Sequence, residues 1–214
     1  MSSKYVCAAL LVCLCSSNAS GVTVSAAGDQ FSVGFNGIID GAEQEGLAAF
    51  ATFEVRSVNG NTFVFDVDLA NTSSQPITAS GLTAFGFATD PDVASGSTSG
   101  DIFDRVFLTN NTPQPNLTNI EVCVNAANGN NCSGQGNTTI PLGQSSELTL
   151  TLVLTEAPAT LELTDFFVRY QSLEGQTGSD SAIGIGTVVP LPAAAWLFLS
   201  GLAGLFGVKR LKRA

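Results

Sequence analysis

The stretch 62–69, TFVFDVDL, decides the fold. Phe63, Phe65, Val67 and Leu69 take every second position, with Asp66 and Asp68 between them. An extended chain therefore puts the apolar set on one face and the acids on the other, whereas a helix would scatter both around its circumference. The stretch 147–154, ELTLTLVL, repeats the pattern, setting Leu148, Leu150, Leu152 and Leu154 against Glu147, Thr149 and Thr151. Both read as strands with one buried face. Working outward, short runs of similar character lie at 22–25, 31–35, 49–55, 82–87, 102–108, 120–124 and 161–170, punctuated by turn signals at Asn59-Gly60, Ser80-Gly81, Asn128-Gly129 and 141–143. About nine strands and no helix of useful length predict an all-β fold, a single antiparallel β-sandwich. The one helical candidate, 43–50, is short and leads into a strand.

The body is strongly acidic. All 18 acidic residues lie between Asp29 and Asp180, against Arg56, Arg105 and Arg169, a net charge of −15 over that region. Such a surface repels phosphate and excludes nucleic acid as a partner. The chain has no histidine, so Ser-His-Asp and Cys-His catalysis and histidine-ligated metal centres are ruled out. Paired carboxylates such as Asp66 and Asp68 remain for catalysis, but acids alternating with Phe and Val read as the solvent side of a sheet. The expectation is a protein that is not an enzyme.

Sugar sites commonly use exposed Trp or Tyr as flat amphipathic surfaces. Here Trp196 falls in an apolar C-terminal segment and Tyr170 in an apolar strand. What remains for ligand binding is hard oxygen. The stretch 89–104, TDPDVASGSTSGDIFD, reads as a loop that spaces Asp90, Asp92, Asp101 and Asp104 with small residues. These four are the candidate calcium ligands, although their spacing is not that of an EF-hand loop. A calcium-dependent glycan-binding module is the alternative functional reading, and no other cofactor is expected.

Both ends of the chain carry addresses. Residues 1–19 combine Lys4, an apolar run at 6–15 and small residues at Ser17 and Ala19, the pattern of a secretory signal peptide; a second cut, after Ala26 or Ala27, also suits the sequence. Cys13 and Cys15 follow Val12 and Leu14 rather than the small residue that lipidation requires. With Cys7, Cys13 and Cys15 removed, Cys123 and Cys132 are the pair left in an oxidising compartment, and a disulfide is expected to close the loop CVNAANGNNC. At the other end, Val189, Pro190, Leu191, Pro192 and Ala193 precede an uncharged stretch reaching Val208. As a helix, 193–208 spans roughly 24 Å, close to the ~30 Å of a bilayer core once the preceding residues are added. Lys209, Arg210, Lys212 and Arg213 follow as a basic tail of the kind retained on the cytoplasmic side. Prolines disrupt a helix interior, so Pro190 and Pro192 read as an extended segment before it. The organisation expected is a signal peptide at 1–19, the β-domain at 20–175, a flexible Gly/Ser-rich spacer at 176–188 and the C-terminal signal at 189–214.

Val189 to Ala193, the apolar helix and the basic cluster, in that order, resemble the VPLPA-CTERM variant of PEP-CTERM sorting domains, which accompany exosortases in Gram-negative bacteria. The resemblance covers about 26 of the 214 residues. Within the body, FNG at 35–37, NTS at 71–73, FGF at 85–87, the cysteine pair and VRYQS at 168–172 are similar to the cistern family of exported PEP-CTERM proteins. The resemblance implies an exosortase-like membrane enzyme that cuts at or near the Pro motif, and a transient inner-membrane anchor. The body then reaches the cell surface or extracellular matrix, among exopolysaccharide and biofilm components, with no activity implied. Six Asn-X-Ser/Thr sequons, among them Asn71, Asn116 and Asn137, read in such a chain as part of an Asn/Thr-rich surface.

Overall fold

In the computed structural model, residues 21–108, 120–126, 132, 138–175 and 178–189 are described. They form twelve strands: β1 (Gly21–Val24), β2 (Gln30–Ile39), β3 (Ala42–Asn59), β4 (Thr62–Asn71), β5 (Ile77–Asp90), β6 (Val93–Gly100), β7 (Phe103–Leu108), β8 (Val122–Ala126), β9 (Ile140–Pro141), β10 (Ser145–Leu154), β11 (Leu161–Gly175) and β12 (Ser181–Val189). Every ladder is antiparallel, and the strands run in the order β6-β10-β4-β3-β2-β12-β11-β5-β8-β7, with β1 on β11 and β9 on β5. The ends of this path meet, because β6 and β7 are joined through Asp101 and Ile102 and pack together. Thr98 Oγ1 donates to the Phe103 carbonyl across the seam at 3.3 Å. The expected division into two sheets is not found: one continuous sheet curls nearly to closure, in barrel fashion.

The nine runs read from the sequence are all strands. Three further strands, β6, β9 and β12, were not expected. The helical candidate at 43–50 belongs to β3, and Ser80-Gly81 lies inside β5 rather than in a turn. Asn128-Gly129 lies outside the described residues. The spacer expected at 176–188 is corrected: residues 181–188 belong to β12, paired on one side with β2 and on the other with β11. Asn59 and Thr62 close the β3–β4 hairpin around Gly60-Asn61, as the Asn-Gly signal indicates. The β2–β3 hairpin turns on Asp40 (φ 51) and Gly41 (φ 81), the paired positive dihedrals of a two-residue hairpin turn.

Alternation sends one face of each strand inward. Phe53, Phe63, Phe65, Phe85, Phe87, Phe103 and Phe166 are all under 2 % exposed or nearly so and fill the interior with leucines and valines. The rings interlock: Phe31 stacks on Phe53 at 4.7 Å between centroids, and Phe85 meets Phe103 edge-on at 5.4 Å. Glycine on β12 makes room for them. A Cβ at Gly186 would stand 2.6 Å from Phe166 Cβ and 2.7 Å from Val33 Cγ1.

The second face is buried too along part of the wall. Ala84, Cys123, Phe167 and Ile183 point outward from β5, β8, β11 and β12 and pack with Ile120 and Cys132 as a separate apolar cluster. This is why β8 is buried at every position. An irregularity in β11 between Thr164 and Phe167, with Asp165 at φ 51, sends Phe166 into the main core and Phe167 into the outer cluster.

Asn71 joins three elements at the end of the barrel. It is 1 % exposed, and its Nδ2 donates to the Ser80 and Ile140 carbonyls, both at 3.1 Å. Its backbone amide donates to the Gln144 carbonyl at 2.9 Å, and its carbonyl accepts from Gly143 at 2.9 Å. The Asn71 sequon therefore presents no accessible acceptor. Tyr170, also fully buried, lies in the main core with no hydrogen-bond partner for its hydroxyl, and burial holds its pKa above the ordinary phenol value.

Two substitutions test these packing assignments. Asn71→Ala removes the buried amide that bonds the Ser80 and Ile140 carbonyls and should destabilise by about 2 to 3 kcal/mol in denaturant titration. Tyr170→Phe removes only an unsatisfied buried hydroxyl and should leave stability unchanged or raise it by about 1 kcal/mol; a clear loss would mean that the hydroxyl has a partner.

Candidate functional site

The outer faces of β10, β4, β3 and β2 are not apolar, and they line an open groove of about 660 Å³. Register lays its side chains out in two rows across the strands. One row runs Glu147, Asp68, Thr52, Ser32, and the other Thr149, Asp66, Glu54, Gln30. Each follows from alternation, since the residues between them point into the core. Arg56 grips Asp66 with both carboxylate oxygens engaged, Nε to Oδ2 at 2.8 Å and Nη2 to Oδ1 at 2.5 Å. Thr149 Oγ1 donates to Asp66 Oδ1 at 3.2 Å, and Gln30 Nε2 to Glu54 Oε2 at 2.9 Å. Asp66 and Asp68 thus share one face as the sequence indicates, but Asp66 is held in an ion pair and neighbouring carboxylates face solvent. The groove is a hydroxyl-rich acidic sheet face with no exposed aromatic ring among its lining residues.

The four aspartates proposed for calcium are not brought together. The segment read as a loop is the end of β5, all of β6 and the start of β7: Asp90 ends β5 and Asp92 precedes β6, whereas Asp101 follows β6 and Asp104 lies in β7. Eight extended residues of β6 separate the pairs by roughly 26 Å at about 3.3 Å each. Among the described residues, no group of three or more acidic or cysteine side chains is placed to hold a metal ion. The turn at 90–92 is instead fastened by Glu121, whose carboxylate accepts from Thr89 Oγ1 and the Val93 amide, both at 2.5 Å.

Cys123 and Cys132 are joined by a disulfide with Cα atoms 5.9 Å apart, both buried in the outer cluster. The bridge fastens Cys132 onto the outer wall of β8, beside Phe167 and Ile120. Sequence reading found the pair but not its task, because the apolar outward face became visible only with the strands in order. Of the Pro motif, Val189 is the last residue of β12, paired with Ser32 and 41 % exposed. Pro190, Leu191, Pro192 and Ala193 and the basic tail of Lys209, Arg210, Lys212 and Arg213 lie outside the described residues, as do residues 1–19. Val189 sits diagonally from Phe50, another exposed apolar residue, across Gly34 on β2. A scan of the chain against protein-family models finds no match, and neither does a search of curated proteins.

Reduction of the disulfide should lower stability by about 2 to 4 kcal/mol while the twelve-stranded sheet persists, since the bridge closes a short loop on the outer cluster. Denaturant titration with and without reductant measures the loss. Non-reducing peptide mapping that finds both thiols free would remove the bridge.

Proposed function

We propose that this chain is an exported, non-catalytic protein of a Gram-negative cell surface or extracellular matrix, anchored briefly in the inner membrane by its C-terminal segment and processed by an exosortase-like enzyme. The observation that carries the reading is the order of Val189, Pro190, Leu191, Pro192 and Ala193, an uncharged stretch to Val208, and the basic cluster from Lys209 to Arg213. An apolar helix nearly as long as the bilayer core, stopped by cations, partitions into a membrane with its basic end on the cytoplasmic side. The signal-peptide pattern at the N-terminus supports the same topology.

The body suits such a role. A disulfide withstands an oxidising exterior, and a net charge of −15 favours solubility among other extracellular polymers. Because β12 runs up to Val189, barrel and Pro motif adjoin with no linker between them. Exopolysaccharide is the environment in which the protein works, and its contribution there is structural.

Replacing Pro190 and Pro192 together by Ala tests the reading. The variant should keep its full C-terminal segment and remain in the inner-membrane fraction, while the parent protein reaches the envelope surface or medium with a trimmed C-terminus. A variant exported and trimmed like the parent would end the sorting-motif reading.

A further inference from the structure

We infer that the outward face of β12, β2 and β3 is the side on which the barrel rests against the lipid surface while its C-terminal segment is anchored. The inference rests on the export reading above and adds an orientation to it.

Alternation sets the face. On β2, Phe31, Val33 and Phe35 are buried in the core, so Ser32, Gly34 and Asn36 point outward. Register places residues 48–52 of β3 on one flank of them and 185–189 of β12 on the other. Across 32–36, 48–52 and 185–189 the chain carries no charged side chain. In a body of net charge −15 this is a gap with acids around it. Glu54 and Asp68 adjoin its Thr52 corner, and at its other end Glu43 Oε1 accepts from Asn36 Nδ2 at 3.3 Å. The large apolar side chains exposed among the described residues are Phe50, Leu108 and Val189, and two of the three fall on this patch. Phe50 and Val189 flank Gly34, where a Cβ would stand 3.6 Å from Val189 Cγ2, so they share a shallow notch over a residue without a side chain.

Area and tether together decide what covers the patch. With strands about 4.8 Å apart and same-face neighbours about 6.8 Å apart along each, it covers on the order of 300 Å². That is well under the roughly 800 Å² that each partner contributes to a stable complex, and a second copy would also bring its acids against this chain's acids at the rim. A lipid surface makes neither demand of a chain tethered to it. Ala193, where the uncharged stretch to Val208 begins, follows Val189 by four residues, which span at most about 14 Å. So short a tether keeps the membrane at high local concentration, and a weak contact is then occupied. Charge selects the side. Anionic headgroups repel carboxylates within a Debye length of about 8 to 10 Å, which turns the acidic β10-β4 wall away. The uncharged face can approach and bury Phe50 and Val189 at the boundary between headgroups and acyl chains.

Tryptophan quenching tests the orientation. The full chain is reconstituted in vesicles of phosphatidylethanolamine and phosphatidylglycerol, with and without bromine on the acyl chains, which quenches tryptophan on contact. The parent has one tryptophan, Trp196, inside the uncharged stretch, and its quenching reports the anchor. Three variants on a Trp196→Phe background report the body. Phe50→Trp and Thr187→Trp, both at exposed positions, lie on the inferred face; Ser97→Trp lies at an exposed position of β6, four places from β2 in the strand order. Phe50→Trp should lose at least about half its emission to brominated lipid and Ser97→Trp almost none. Thr187→Trp should follow Phe50→Trp, and it carries the test if Phe50→Trp does not fold. Quenching of Trp196 with face reporters that emit as fully as Ser97→Trp, or with all three reporters quenched alike, would overturn the orientation and leave the export reading intact. A parent whose Trp196 is not quenched would overturn both. A dimer seen in native mass spectrometry of the detergent-released parent, and lost in Phe50→Asp, would give the face to a second copy and overturn the inference as well.

Discussion

The barrel depends on β12 being seated between β2 and β11. Its two ladders join the β6-β10-β4-β3-β2 half of the sheet to the β11-β5-β8-β7 half on the side away from the β6–β7 seam. One of its contacts, from Thr187 Oγ1 to the Gly34 carbonyl, spans 153 residues of sequence. Closing so long a loop carries a large entropic cost before any contact rewards it, which makes assembly of this sheet slow relative to its local hairpins. The hairpins β2–β3 and β3–β4 can form early from Asp40-Gly41 and Gly60-Asn61. The wall is complete only when the chain has reached Val189.

Seating β12 has a steric condition. Its inward positions are Ala182, Gly184, Gly186 and Val188, and a Cβ at Gly184 would lie 2.6 Å from Val168 Cγ2 and 3.1 Å from the Tyr170 ring. The large side chains of β2 and β11 occupy the volume that β12 vacates, so the interior is packed rather than hollow. Outward, Ile183 and Ile185 join the cluster fastened by the disulfide. This wall is consequently apolar on both faces, whereas the β10-β4-β3-β2 wall is apolar inside and acidic outside.

That acidic wall carries its own tension. Glu147 sits directly opposite Asp68, and Asp66 opposite Glu54, arrangements that repel across neighbouring strands. Arg56 relieves the second pair by engaging Asp66, and the hydroxyl of Thr149 and the amide of Gln30 spread the remaining charge. Both partners of the ion pair are well exposed, so it contributes little to stability. The main effect of the wall is a hydrated, charge-rich surface.

The alternation in 62–69 and 147–154 by itself determined β4 and β10, their buried faces and the antiparallel all-β class, because a period of two admits only one placement of those side chains. The cysteine pair was likewise legible, there being no other partner once the leading cysteines are set aside. Tertiary structure decided the rest. Strand β6, VASGSTSG, has no apolar period, and its Gly96 and Gly100 are small because Val106 and Leu148 fill the space in front of them. Strand β12 has a period of two in Ile183 and Ile185, but it points outward, so reading it as a strand required knowing that a second apolar layer exists. The four aspartates at 90–104 looked convergent only while β6 was taken for a loop; extending it drives them apart. Alternation tells each strand which face to bury but not which strands will be neighbours, and closure of the sheet is a property of neighbours alone.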